Sequence, residues 1–153
     1  LFQISNEPGF LTPTLYNYVG RPDKTAEVVR KTLKERYNTT KEGIPGNDDS
    51  GSMSSWYVFH ALGFYPNTGQ NLYLISSPIF EEAVIHLENG RDLLIKAKKA
   101  SDKNIYVQSV KLNGEPLDAC SFKHTDIANG GTLEFVMGSK PSKWGTVGVE
   151  NQL

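Results

Sequence analysis

The sequence predicts an α+β fold in which a helical segment precedes an antiparallel β-sandwich-like region. As far as Pro66, apolar side chains recur at the three- and four-residue spacing that is typical of amphipathic helices. After Pro66 the apolar side chains alternate with polar ones, as in half-buried strands, and turn sequences separate the short runs. We therefore expect two regions, residues 1–68 and residues 69–153.

The first region is predicted to contain three helices. The first covers residues 11–19, and the second begins at Asp23, a side chain that can cap its first turn. The apolar faces are Leu11, Leu15, Tyr18 and Val19 in the first helix, and Ala26, Val29, Leu33 and Tyr37 in the second. The third, over residues 52–62, is apolar on nearly every side, so we expect some of its packing partners to lie outside this chain.

Five strands are predicted in the second region. They cover residues 72–75, 83–87, 93–97, 105–112 and 132–136. The turn sequences between them are Asn89-Gly90, Asn113-Gly114 and Asn129-Gly130-Gly131, whose residues adopt positive φ readily. Short alternating strands joined by such turns are typical of an antiparallel sandwich.

The composition excludes several classes of partner. The 153 residues include 16 basic and 17 acidic side chains, and a formal net charge of −1 gives no broad field that would attract nucleic acid or an anionic membrane. Cys120 is the only cysteine, which excludes an internal disulfide and paired-cysteine metal sites, so we expect it to pack in the core. No signal-peptide or membrane-spanning pattern occurs, and a start at Leu1 without methionine is typical of an excised piece.

The glycine-rich stretch GIPGNDDSG, residues 43–51, is the strongest candidate site. Its glycines let the backbone approach a ligand, and Asn47, Asp48 and Asp49 place three oxygen-bearing side chains in succession. Such oxygens suit calcium, and carboxylates held at the start of a helix also suit general acid/base chemistry. The structural alternative is that Asp49 or Ser50 only caps the following helix. The residue spacing of an EF-hand is not met.

A second polar cluster, Ser5-Asn6-Glu7-Pro8-Gly9, precedes the first predicted helix. On its own it indicates a turn that leads into a helix. If the helices between the two clusters return antiparallel, however, both clusters reach the same end of the helical layer. We then expect the oxygens of Glu7 to converge with those of Asn47 and Asp49.

Several other reactive or aromatic side chains are predicted to be structural, because core packing is their more common role. They are His60, Trp56 and Tyr57 in the third helix, Trp144 near the last strand, and His86 and His124, to which no chemistry is assigned. Arg21 and Lys24 suit either a ligand contact or a solvent-facing charge.

Several short motifs occur in a recognisable order along the chain. They are NEP at residues 6–8, LYNYVGRP at 15–22, GIPGNDDSG at 43–51, MSSWYVF at 53–59, GFYP at 63–66, NIYVQS at 104–109, LNG at 112–114 and GGTL at 130–133. Together they resemble the C-terminal part of glycoside hydrolase family 92, the calcium-dependent α-mannosidases. The resemblance covers about residues 4–146, so it includes both predicted regions.

The resemblance implies a helical segment from the end of an (α/α)6 catalytic barrel, followed by the family's closing β region. It also implies an inverting exo-α-mannosidase, with α-1,2 as the expected linkage and one calcium ion at the mannose-binding subsite. Asp49 is similar in position to the family's general base, and Asn47 lies where some members carry another acidic residue. Asn6, Glu7 and Asp48 resemble residues of the sugar or calcium site.

One part of the family pattern is missing from this chain. The family's proposed general acid is a Glu in a Glu-Gly-x-Ala-Trp motif, which does not occur here. Because inversion needs both an acid and a base, we expect a fragment that carries the base side and hydrolyses no mannoside alone. Its expected partners are a mannose-containing glycan, as in N-glycan degradation, and the remainder of the parent polypeptide. The expected location is secreted, periplasmic or cell-surface.

The alternative is a non-catalytic carbohydrate-binding or structural β-sandwich module. In that case the helices would dock the module, and the acidic loop would be a helix cap or a structural calcium site. Such a module would not need the acidic loop to be coupled to Asn6 and Glu7. Convergence of the Glu7, Asn47 and Asp49 oxygens in one pocket is therefore the observation that separates the interpretations, and divergence would favour the module.

Overall fold

A computed structural model describes residues 2–147 of the chain. Two α-helices, α1 (Pro22–Arg36) and α2 (Ser52–Leu62), lie in the first half, and the strands begin at residue 64. The strands are β1 (Phe64–Pro66), β2 (Tyr73–Ile75), β3 (Glu82–His86), β4 (Asp92–Lys98), β5 (Tyr106–Leu112), β6 (Glu115–Pro116), β7 (Ser121–Phe122) and β8 (Gly131–Gly138). The 3-10 helices are Glu7–Gly9, Thr12–Val19, Asp49–Gly51 and His124–Asp126. The predicted α+β fold is confirmed.

The strands form two sheets. The smaller sheet is antiparallel with the order β1-β2-β7, and the larger has the order β3-β4-β8-β5-β6. In the larger sheet β4 and β8 run parallel, whereas we expected only antiparallel pairs. A parallel pair needs a long connection, and here the chain between β4 and β8 supplies it by including β5, β6 and β7.

The hairpin of β1 and β2 lies where the two predicted regions meet. Phe64 pairs with Ile75 and Pro66 pairs with Tyr73, so the loop over residues 67–72 connects two strands of one sheet. Strand β1 was not expected, because three residues are too few to show a two-residue period.

Helix α1 carries the predicted apolar stripe on its buried side. Ala26, Val29 and Leu33 are buried, as expected. The start of the helix differs from the prediction: Pro22 occupies its first turn, and Asp23 makes no capping bond. The Asp23 carboxylate instead accepts two hydrogen bonds from the Arg21 guanidinium, at 2.9 and 2.7 Å.

The predicted first helix is a 3-10 helix, Thr12–Val19, and its buried face is polar. Leu15 and Val19 are 51 % and 72 % exposed, so the predicted apolar face was wrong for these residues. The fully buried Asn17 explains the difference, because its amide donates to the backbone carbonyl of Ile75 at 2.7 Å. A buried carbonyl of a short strand needs a donor, and burying Asn17 supplies one.

Two hydrophobic clusters hold the fold together. The larger joins both sheets and includes Leu74, Ile95 and Phe135. The smaller lies among the helices, where Val29 of α1 and Trp56 of α2 are fully buried. No helix among residues 2–147 combines the length and the hydropathy that crossing a membrane would require.

Candidate active site

The two polar clusters found in the sequence lie side by side in the structure. The backbone N–H of Asn47 donates to the carbonyl of Ser5 at 3.2 Å. The hydroxyl of Ser52 donates to the Glu7 carboxylate at 3.1 Å. Gly46 has φ +67°, and a Cβ there would lie 2.1 Å from the Ser5 oxygen, so only glycine allows this approach. The expected meeting of the two loops is therefore observed, whereas the chemical roles assigned to their side chains stay predictions.

Asp48 satisfies the start of helix α2. The N-cap position is Gly51, which has no side chain, so the first amides of the helix need another acceptor. One Asp48 oxygen accepts from the Ser54 backbone N–H at 2.9 Å, and the other accepts from the Ser54 hydroxyl at 2.8 Å. The hydrogen bonds from Ser54 hold the pKa of Asp48 below its usual value. The structural alternative of the sequence analysis thus assigned the cap to the wrong residue, because Asp48 performs it and not Asp49 or Ser50.

Asp49 is exposed and its carboxylate has no hydrogen bond or ion pair with any residue in the described part of the chain. It lies in a tight turn, since Ser50 and Gly51 both have left-handed backbone conformations, with φ +54° and +77°. A left-handed serine is uncommon, and such conformations concentrate at functional sites. The turn leaves the Asp49 carboxylate exposed to solvent.

Two grooves border helix α2 near this loop. One, of about 510 Å³, is lined by Glu7, Ser52 and Ser55 together with the aromatic rings of Phe59 and Tyr65. The aromatic and polar lining suits a sugar, which presents both an apolar ring face and hydroxyl groups.

The second groove, of about 490 Å³, is lined by Ile44, Ser54 and Val58 among others. Ile44 and Val58 are 45 % and 53 % exposed. Asn6, Asn47 and Asp49 line neither groove, so the expected convergence of the Glu7, Asn47 and Asp49 oxygens in one pocket is not seen. By this criterion alone, the non-catalytic module would be favoured.

The donor atoms here suit calcium in kind but not in number. Asn6, Glu7 and Asn47 offer amide and carboxylate oxygens, and calcium takes about six to eight oxygen ligands. Among residues 2–147, however, no group of three or more Asp, Glu, His or Cys side chains is placed to hold a metal. These residues fit one part of a calcium site, and the other ligands would come from water, sugar or other chain segments.

The residues that we expected to be structural are largely so. Trp56 is fully buried and its indole N–H donates to the Phe10 carbonyl at 3.1 Å. The Trp144 indole N–H donates to the Leu117 carbonyl at 2.7 Å, within the larger cluster. Cys120 is buried, and burial raises the pKa of its thiol to about 12, which agrees with packing.

The remaining candidates form local pairs with other side chains. Arg21 pairs with Asp23, Lys24 with Glu27, His86 with Asp92, and His124 with Tyr73, while Tyr57 packs against Tyr37. These contacts give no sign of catalytic chemistry.

His60 is an unusual member of the helical core. It is fully buried, and its ring lies between those of Trp56 and Tyr65, at centroid distances of 4.2 and 4.8 Å. Neither ring nitrogen has a hydrogen-bond partner among the described residues. Burial lowers the pKa of His60 to about 3, so the ring is neutral at physiological pH.

Sequence reasoning missed two residues of the site, Ser52 and Ser54. Each supplies a hydroxyl to one of the carboxylates, Ser52 to Glu7 and Ser54 to Asp48. The sequence did hold a signal, because serine is common in the first turn of a helix where it can bond neighbouring groups. Assigning its partner requires the turn geometry of residues 48–51.

Comparison with known proteins places this arrangement in a family. A profile of the glycosyl hydrolase family 92 catalytic domain matches residues 1–139. Among curated proteins, one named an uncharacterized secreted glycosidase, from Arthroderma benhamiae, is 41 % identical over 149 residues. The similarity covers 95 % of this chain and 19 % of that protein.

Solved structures of the same family are similar in fold. A GH92 α-mannosidase from Bacteroides thetaiotaomicron in complex with mannoimidazole is 37 % identical with a TM-score of 0.87, over 91 % of this chain and 18 % of that one. A GH92 inverting mannosidase from the same organism is 34 % identical with a TM-score of 0.84, over 92 % and 19 %. The chain thus spans about a fifth of the length of these relatives.

Proposed function

The chain belongs to glycosyl hydrolase family 92, and from this we propose that it supplies the base side of the active site of a calcium-dependent, inverting exo-α-mannosidase. Two structural relatives are named mannosidases, which supports the substrate, and one of them is named an inverting enzyme, which supports inversion. The family match spans both the helical and the sheet regions, which favours a piece of a catalytic domain over a separate binding module.

The observation that carries this proposal is the carboxylate of Asp49, which has no partner among residues 2–147 and lies in a tight turn. In inversion, one carboxylate takes a proton from water on the face of the sugar opposite the leaving group. An exposed carboxylate that accepts no hydrogen bond from residues 2–147 has its lone pairs free for that proton. Asp49 meets this requirement at the loop that lies beside the Glu7 loop.

The general acid would come from outside this chain. In inverting glycosidases the two carboxyl groups are about 6.5–9.5 Å apart, because a water must fit between base and sugar. Glu7 is the one carboxylate among the described residues that line the two grooves beside α2, and it already accepts a hydrogen bond from the Ser52 hydroxyl. We therefore expect the chain alone to hydrolyse no mannoside.

Glu7 and the aromatic groove beside it would bind the mannose residue. One Glu7 oxygen accepts no hydrogen bond from any described residue, and Phe59 and Tyr65 offer apolar rings in the same groove. Asn6 and Asn47 would add amide oxygens, and these with Glu7 are the donors that this chain offers to calcium. When bound, the ion would hold sugar hydroxyls and favour a distorted ring.

The exposed apolar side chains would contact the remainder of the parent polypeptide. Leu15, Val19, Ile44 and Val58 are each 45 % exposed or more. The chain has about a fifth of the length of its relatives, and buried apolar contacts with other helices of the catalytic domain would cover these groups.

We infer the substrate linkage and the location of the parent enzyme from its family. We propose α-1,2-linked mannose in glycans, including N-glycans, as the substrate. We propose a secreted, periplasmic or cell-surface location, which the name of the Arthroderma benhamiae relative supports.

The test is hydrolysis of α-1,2-mannobiose by the full-length protein that contains this chain. We expect turnover that a calcium chelator abolishes and that added calcium restores. Asp49→Asn should lower kcat by about 10³-fold, within the range for loss of a general base. Turnover that survives both the chelator and Asp49→Asn would contradict the proposal. Enzymatic turnover by residues 1–153 alone would contradict the expectation that the general acid lies outside this chain.

A further inference from the structure

We propose that Asp48 is a positioning residue for Asp49, and that it acts through Ser54. This inference rests on the proposed role of Asp49 as the base. The observation behind it is that Asp48, which comes directly before Asp49, is hydrogen-bonded to Gly51 and Ser54, which come after it. Its backbone carbonyl accepts from the Gly51 N–H at 3.0 Å, and its carboxylate accepts twice from Ser54.

These bonds close a three-residue loop, Asp49–Gly51, against the first turn of α2. Asp48 is fixed to the helix at Ser54, so the chain between them forms a tight turn. Within this turn Ser50 and Gly51 have left-handed conformations. The Ser55 hydroxyl, which donates to the Gly51 carbonyl at 2.8 Å, restrains the same turn from the next position along the helix.

This geometry gives the two adjacent carboxylates, Asp48 and Asp49, different roles. A helix whose N-cap is glycine attracts any nearby carboxylate to its free amides. Asp48 accepts the hydrogen bond from the Ser54 N–H in the first turn. Asp49 therefore does not bind the helix amides and keeps its lone pairs for a substrate water. Without Asp48, the Asp49 carboxylate would be the nearest replacement acceptor, and it would turn away from the sugar.

The experiment uses the full-length protein with Asp48→Ala, Asp48→Asn and Ser54→Ala, each compared with Asp49→Asn. We expect Asp48→Ala to lower kcat by about 10²-fold while KM stays within about threefold, because the base is misplaced and sugar binding is not. Asp48→Asn should recover part of that loss, since its amide oxygen still accepts from the Ser54 N–H. Ser54→Ala should show a smaller loss than Asp48→Ala.

A matched control is Asp126→Ala. Asp126 also uses a carboxylate oxygen to accept from a backbone N–H, that of Lys123 at 2.8 Å, but it lies in the sheet region. It should leave kcat unchanged. A loss equal to that of Asp48→Ala would mean that removing any such bond lowers activity, and would overturn the inference.

A second readout does not depend on activity. Amide hydrogen exchange over residues 49–54 should be faster in Asp48→Ala and Ser54→Ala than in the wild type, and unchanged in Asp126→Ala. Unchanged exchange in Asp48→Ala would overturn the inference, as would a wild-type kcat for Asp48→Ala while Asp49→Asn is inactive. A kcat for Asp48→Asn as low as that of Asp49→Asn would make Asp48 a participant in the chemistry and also overturn it. Full activity of Asp49→Asn would instead refute the proposed function.

Discussion

The two α-helices within residues 2–147 differ in how completely their polar groups are hydrogen-bonded and their apolar groups buried. Helix α1 begins at a proline, pairs its first-turn carboxylate Asp23 with Arg21, and has hydrogen bonds for its buried polar side chains. Helix α2 has Gly51 at its N-cap position and leaves Val58 exposed. Among residues 2–147, neither the Asp49 carboxylate next to it nor its buried His60 ring has a hydrogen-bond partner. Helix α2 therefore forgoes stabilising contacts that α1 makes.

We interpret the difference as follows: α1 holds the helices to the rest of the fold, and α2 supports the proposed site. The Arg30 guanidinium of α1 donates to the carbonyls of Pro78 and Ser101, at 2.6 and 2.7 Å, and so fastens the helices to the chain around the sheets. Folding alone explains every such contact of α1. It does not explain the free carboxylate or the exposed apolar face of α2, whereas a ligand and further chain segments would.

Removing the hydrogen bonds of Arg30 in α1 should have the largest effect on the free energy of unfolding. Arg30 is 9 % exposed, and Arg30→Ala removes its guanidinium while leaving the Pro78 carbonyl buried without that donor. We expect a loss of about 4 kcal/mol in the free energy of unfolding. Denaturant unfolding of the full-length protein would measure it, with Lys31→Ala, an exposed neighbour on α1, as the control.

Charging the exposed face of α2 tests whether other chain segments cover it. Val58→Asp in the full-length protein would place a carboxylate in an apolar contact, and we expect a loss of about 3 kcal/mol. Val58→Ala, which removes only apolar bulk, should cost about 1 kcal/mol. Thermal unfolding would report both. Equal melting temperatures for Val58→Asp and the wild type would mean that this face of α2 stays exposed to solvent in the full-length protein.

His60 makes the stability of α2 depend on pH. Its folded-state pKa of about 3 lies below the unfolded value of about 6.5, so the unfolded chain binds the extra proton first as the pH falls. Stability should therefore decrease below about pH 6.5, by about 2 kcal/mol between pH 7 and pH 5. His60→Phe should remove that decrease, and His86→Gln, at an exposed histidine, should retain it. An identical pH dependence for His60→Phe and the wild type would mean that His60 does not cause the decrease in stability.

The smallest effect is expected at the two helix starts. Asp23→Asn weakens a surface ion pair, so the melting temperature should drop by at most about 2 °C. Asp49→Asn should cause no drop, because its carboxylate has no partner among residues 2–147. A clear destabilisation by Asp49→Asn would make it a structural residue and remove the contrast between the helices.

The sequence predicted the elements in which apolar side chains repeat with a helical or a two-residue period. The bounds of α2, the buried stripe of α1 and the five predicted strands agree with the structure to within one or two residues. The exposed Leu15 and Val19 could not be predicted, because the burial of Asn17 depends on a carbonyl 58 residues away. The parallel pairing of β4 and β8 likewise depends on tertiary arrangement.

For the site, the sequence identified the carboxylates but not their partners. The loop with Asp48 and Asp49 stood out by composition, and its meeting with the Glu7 loop followed from the helical hairpin between them. Which of the two adjacent carboxylates caps α2 is decided by the left-handed turn at Ser50 and Gly51. That turn is a backbone property with a weak sequence signal, because serine rarely adopts it.

The most direct test of Asp49 as the base is chemical rescue in the full-length protein. Asp49→Ala should hydrolyse an aryl α-mannoside very slowly, since no carboxylate accepts the proton of the attacking water. Azide needs no base, and it should restore turnover and yield β-mannosyl azide, because it attacks the face where the water would stand. Wild-type hydrolysis by Asp49→Ala without azide, or an α-mannosyl azide product, would contradict the assignment.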